Sequence, residues 1–148
     1  MELSNKKYKT INASDCALNE ALFIHDAIID NLDLRFLEYK YEVIVDNCRI
    51  KTLGLHSAWF EAGMKLTNCI IENQAQYEMG GHNDTPIIIE NNVFHEIFVF
   101  FDCWFTGDLQ VRNNRFMSGC TLWNTTNIFD GGVIVTGNHG KMDIMRMD

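Results

Sequence analysis

The chain has almost no proline; Pro86 is the only one in 148 residues. It has no basic excess either. A formal net charge of −8 excludes an electropositive main surface for nucleic acid or an anionic membrane. No apolar run approaches the length of a helical membrane span. The opening Met1-Glu2-Leu3-Ser4-Asn5-Lys6-Lys7 carries no apolar signal region, so the expected location is cytoplasmic. The five cysteines are odd in number and form no CxxC pair, which argues against a disulfide framework or a zinc knuckle. HExxH, GxSxG, GxGxxG and P-loop patterns are all missing, and no cofactor is implied. What is present is Asn, Ile and Phe spread along the whole chain, a mixture that suits many short strands joined by tight turns.

Cutting the chain before each apolar-x-apolar triplet exposes a repeat. VIVDNCRIKT, LGLHSAWFEAG and MKLTNCIIEN follow one another, and later IIIENNVFHE, IFVFFDCWFTGD and LQVRNNRFMSG. Two such segments span about 21 to 24 residues, the length of one solenoid coil. Apolar positions alternate with period two and then break at Asn or Asp, which reads as short strands and not as helices. The expectation is an all-β, single-stranded, right-handed parallel β-helix of about six coils, one domain over 1–148. Residues 1–10 are expected as an N-terminal segment or cap, 11–142 as coils and 143–148 as a tail.

Stacked coils would align three inward ladders. The first is Val43, Met64, Ile87, Leu109 and Val133. The second is Val45, Leu66, Ile89, Val111 and Val135. The third, around the next corner, is Ile29, Ile50, Ile71, Phe94 and Phe116. Asn47, Asn68, Asn91 and Asn113 share a turn position, where Asn tolerates the left-handed conformation and stacked amides can bond to each other.

Each half-coil divides into quintets, VIVDN-CRIKT and MKLTN-CIIEN among them, that pair a small residue with a large apolar one two positions later. Such pairs are Cys16/Leu18, Ala27/Ile29, Cys48/Ile50, Ala58/Phe60, Cys69/Ile71 and Cys103/Phe105. This pattern resembles the pentapeptide-repeat family over about Ile11 to Phe116, which implies a square coil with both residues of each pair inward. QAQYE lacks the apolar centre, and NVFHE and NRFMS carry Asn where the small residue belongs. IIIENNVF and LQVRNNRF look equally like the pectate-lyase-like β-helices, which have three sheets per coil, so the cross-section stays open.

Cys16, Cys48, Cys69 and Cys103 read as small core hydrophobes, with Cys48 and Cys69 neighbours one coil apart. The longer half-coils place their extra residues, around 79–86, 106–108 and 127–132, at one corner. Stacked, these loops form a ridge carrying His82, Asp84, Asp108 and Asp130, with Glu61 one coil earlier. It is the candidate ligand-binding site; oxygen-rich loops of this kind can hold Ca²⁺, and the metal is left open. His25 and Asp26 read as adjacent in sequence only. His56 and Ser57 should face opposite sides of a strand. Trp59, Trp104 and Trp123 read as members of core aromatic ladders, with sugar stacking as the other reading.

Three functions follow as expectations. The first is a non-catalytic binding or scaffold protein that self-associates through its coil ends and takes an unidentified protein or carbohydrate partner. The pectate-lyase likeness implies a carbohydrate-active enzyme or lectin. The pentapeptide likeness implies an acidic rod that mimics DNA toward DNA gyrase.

Overall fold

The computed structural model describes residues 1–145 and is a parallel β-solenoid of about six turns. Its first face is a sheet of seven parallel strands: Glu2–Ser4, Leu22–His25, Val43–Asp46, Met64–Thr67, Ile87–Glu90, Leu109–Arg112 and Val133–Thr136. Along it Glu2, Phe23, Ile44, Lys65, Ile88, Gln110 and Ile134 share one register position. The coils are therefore 21, 21, 21, 23, 22 and 24 residues long. In the first coils the strands Lys7–Asn12, Ile28–Asp33 and Arg49–Gly54 run through the second and third faces together. Further along, these split into short pieces such as Ile70–Ile71 and Ala75–Glu78. The fourth face is built from Glu38–Tyr39, Trp59–Phe60, Trp104–Phe105 and Ile128–Phe129, with Gly81 bridging Trp59 to Trp104.

All three expected ladders form in register. Their members are buried except at the last coil, where Val133 and Val135 are only half-buried. Each buried side chain contributes through its apolar area at about 25 cal/mol per Å². No coil could bury that area alone, so stacking and stability are the same thing here.

The corners explain the Asn pattern. Asn47, Asn68, Asn91 and Asn113 all have φ between 51 and 60°, as does Asp26 one coil before them. Asn and Asp accept this region because a short polar side chain offsets its strain. The amides at this corner do not bond to each other, however. Asn47 Nδ2 donates to Asp26 at 2.6 Å and Asn68 Nδ2 to Asp46 at 2.9 Å. The amide ladder lies one residue on and inside: Asn92 Nδ2 donates to Asn114 Oδ1, and Asn114 Nδ2 to Asn138 Oδ1, both at 3.0 Å. The asparagines of NVFHE and NRFMS are thus functional replacements for the small inward residue. QAQYE is out of frame by one: Ala75 aligns with Leu53, so the quintet is AQYEM and its apolar centre is the fully buried Tyr77.

Two local features stand out. Residues 1–10, expected as an N-terminal segment or cap, already pair as coil strands through Glu2–Ser4 and Lys7–Asn12. Leu18 does not pair inward with Cys16 but stands 46% exposed. A capping box between Asn12 and Asp15 folds a 3-10 turn over Ala13–Asp15 and takes the chain off the face before it reaches Leu18. At the other end, residues 146–148 of the expected tail lie outside the described residues.

Candidate functional site

The extra residues of the longer coils do gather at one corner. Asp84 N–H donates to the Glu61 carbonyl at 2.8 Å, the Thr106 hydroxyl to the Asn83 carbonyl at 2.9 Å, and Gly132 N–H to the Asp108 carboxylate at 2.9 Å. Asn83, fully buried, pins this stack: its Nδ2 donates to the carbonyls of Thr85 and Asp108, both at 3.0 Å. Sequence reading passed over Asn83; an Asn inside the longest of the three insertions was the available signal.

The ridge carboxylates do not converge into a cage. Asp130 accepts the Trp104 indole N–H at 2.6 Å, Asp108 is committed to Gly132, and Glu61 meets Asp84 only through backbone. Among the described residues no three His, Cys, Asp or Glu side chains come together to hold a metal. The Ca²⁺ reading of the ridge therefore finds no site, because these loops are tied to one another by backbone contacts that spread their carboxylates along the rod.

What the fourth face presents instead is aromatic. The tryptophans are outside the core, since each occupies the outward position beside an inward Phe or on the third face. Trp104 is 45% exposed and Trp123 43%, with Trp59 half-buried. In the row Trp59, Gly81, Trp104, Ile128, the glycine leaves a gap. A Cβ at Gly81 would sit 2.2 Å from the Trp104 carbonyl oxygen, so the gap is obligatory. His82 fills it, stacked on Trp59 at 3.9 Å and edgewise to Trp104 at 5.5 Å. Burial beside these rings holds the His82 pKa below its ordinary value, with Glu38 opposing, so the imidazole is neutral at neutral pH. Along this row runs a groove of about 280 Å³, bounded on its other side by Ser57, Met79 and Asp102. Those three are all corner residues with positive φ, at 54, 52 and 55°.

That corner geometry also overturns the expectation for His56. Because Ser57 is left-handed, its hydroxyl turns back to His56 Nδ1 at 3.0 Å, and His56 Nε2 lies 3.7 Å from Glu78. A Ser–His–Glu row has the composition of an acyl-transfer triad. Among the described residues it has no free oxyanion donors beside the hydroxyl, however: Ser57 N–H is bonded to the Glu78 carbonyl and Ala58 N–H to that of Leu55. Likewise His25 and Asp26 do meet, at 2.6 Å, with Glu2 on the other ring nitrogen at 2.8 Å. The hydrogen bonds to Asp26 and Glu2 raise the His25 pKa.

The thiols are all free and buried. Burial pushes Cys103 and Cys120 up to about 12, and burial with Asp15 pushes Cys16 up to about 11. Cys48 N–H points at the Cys69 sulfur at 3.4 Å, and the contact with Cys48, then burial, holds Cys69 high as well. Cys48 moves the other way, lowered by its contact with Cys69, though it is equally buried; Cys16, Cys69, Cys103 and Cys120 are core groups and not activated nucleophiles. Comparison with known proteins finds no matching family model, no matching curated protein and no matching solved structure.

Proposed function

We propose that the chain is a non-catalytic β-solenoid scaffold that pairs with a second copy of itself at its C-terminal coil and carries its ligand surface on the loop ridge and the adjoining aromatic row. The observation that carries this reading is the contrast between the rod's two ends. At the first end the edge strand Lys7–Asn12 and its approach hold exposed Lys6, Lys7 and Lys9, charges that repel an added strand. At the other end Val133–Thr136 is the outermost strand of the seven, bears no charge, and has no strand on its outer edge among the described residues. Ile134 is 45% exposed there.

This edge is self-complementary. Antiparallel pairing about Ile134 would set Val133 opposite Val135 of the partner subunit on the inner side, completing both truncated ladders. It would also set the two Ile134 side chains opposite each other outside, in a closed two-fold contact. Ile134→Lys places like charges across that axis. In sedimentation velocity the wild-type chain is expected to shift from monomer to dimer with concentration, and Ile134→Lys to raise the dimer Kd about tenfold or more at unchanged circular dichroism. A wild-type chain that stays monomeric into the millimolar range sinks the self-association.

The exposure of Trp59, Trp104 and Trp123 favours a second reading, a lectin-like surface, over the core role expected for them. The DNA-mimic reading is less well supported, because the outer faces alternate in sign. Asp30 sits 3.7 Å from Lys51, Arg49 pairs with Glu72, and Glu90 with Arg112. These pairs interrupt the acidic positions with bases, although the chain as a whole keeps a net charge of −8.

A further inference from the structure

We infer that the groove between the aromatic row and the Ser57–Met79–Asp102 corner binds a small quaternary ammonium cation; this rests on the reading that the ridge and aromatic row are the ligand surface. Three features of the groove select that chemistry. It is rich in π surface: Trp59, His82 and Trp104 line one wall, and the exposed Met79 adds a polarisable sulfur to the other. It is poor in donors. The Trp104 indole N–H is committed to Asp130, the Trp59 indole N–H to the Met79 carbonyl at 3.3 Å, and the Ser57 hydroxyl to His56. It holds one carboxylate without a partner, since Asp102 makes no side-chain hydrogen bond or ion pair among the described residues and no Lys or Arg lines the groove.

Each feature rejects a competing class. An anion would meet Asp102 and, with both indoles committed, only the single ring N–H of neutral His82. A sugar would find planar rings but few groups for its hydroxyls, with both indole donors already used. A hydrated metal ion would find one carboxylate where it needs several. A primary ammonium would give up strong hydration for a single acceptor. A quaternary ammonium has no N–H to satisfy and is weakly hydrated, so ring faces and one negative charge are sufficient to hold it. The neutral state of His82 leaves no competing cation in the wall. The nearby Asp130 and Asp108 add to the negative potential and disfavour a ligand that carries its own phosphate or carboxylate.

The test titrates tetramethylammonium and choline chlorides into the full chain at low salt and neutral pH, reading heat and the NMR signals of the tryptophan indoles. Both cations are expected to bind and to move the Trp59 and Trp104 signals. The neutral isostere of choline, dimethylbutanol, should bind at least about tenfold more weakly. Trp104→Ala should weaken binding about three- to thirtyfold, the range of one cation–π contact. Asp102→Asn keeps the left-handed corner, because Asn adopts it readily, and should weaken binding about threefold or more if the charge matters. Equal binding of the neutral isostere, or unchanged affinity in Asp102→Asn, overturns the proposal. Cellotetraose shifting the Trp104 signal where the cations do not would overturn the ammonium class and keep the ridge as the ligand surface. No response to any of these probes would remove both.

Discussion

One inward position of the coil is filled in two different ways along the rod. In the first half it holds Ala27, Cys48 and Cys69; in the second it holds Asn92, Asn114 and Asn138. The small side chains need only to be small. Each asparagine must satisfy three or four partners at once, Asn114 the most. Asn114 Oδ1 accepts both the backbone and side-chain N–H of Asn92, and its Nδ2 reaches the Ile89 carbonyl at 2.9 Å and Asn138 Oδ1 at 3.0 Å. The two halves meet where Cys69 N–H donates to Asn92 Oδ1 at 2.9 Å. The comparison teaches that a buried polar ladder can substitute for a small hydrophobe when every partner is one coil away, and that it then becomes the less forgiving of the two.

The largest expected effect is Asn114→Ala. It strands donors on Asn92 inside the rod and should cost about 3 kcal/mol, seen as a fall in Tm on the order of 10 °C. Cys69→Ala at the equivalent position removes one sulfur and should cost about 1 kcal/mol in the same denaturation experiment. If the two variants melt alike, the distinction between the halves is wrong. Cys69→Asn sharpens it: an amide there would find the Cys48 N–H and the Val45 carbonyl that the sulfur now faces. Stability is expected within about 1 kcal/mol of the parent, because the new donors have partners. The smallest effect is chemical. With Cys103 and Cys120 raised to about 12 and Cys16 to about 11, thiolate is scarce at pH 8. A disulfide reagent should label the native thiols far more slowly than the unfolded ones, Cys16 first. Prompt labelling of Cys69, which its contact with Cys48 and burial hold high, would mark the thiol half as loosely packed.

Much of the fold was legible in the sequence because period-two alternation and its recurrence report directly on burial. Val45, Leu66, Ile89 and Val111 could be aligned by eye, and the corner asparagines by their spacing. What was not legible depended on backbone excursions that the alternation rule cannot see. Leu18 left its face because a capping box intervened. His56 and Ser57 met because Ser57 turned left-handed. The amide ladder was placed one residue off, since sequence alone does not distinguish a corner Asn from the inward Asn beside it. The candidate site was legible in part: the ridge formed, but its carboxylates were spent on Trp104 and Gly132. The tryptophans were assigned to core aromatic ladders, whereas the place of Trp59 before Phe60 and of Trp104 before Phe105 puts those two outside.

The coil lengths of 21 to 24 residues set one more property. Nearly every partner in this protein is one turn upstream or downstream, so the mean separation is about a seventh of the chain, near 0.15 in relative contact order. Each added turn closes a loop of the same size and meets the same entropic toll. The rod can therefore zip from any turn that forms first, and its thermodynamic weight should grow step by step with the number of turns. Duplicating or deleting one whole turn is a change in length alone, which makes the number of turns a dial and not a defining constant of the molecule.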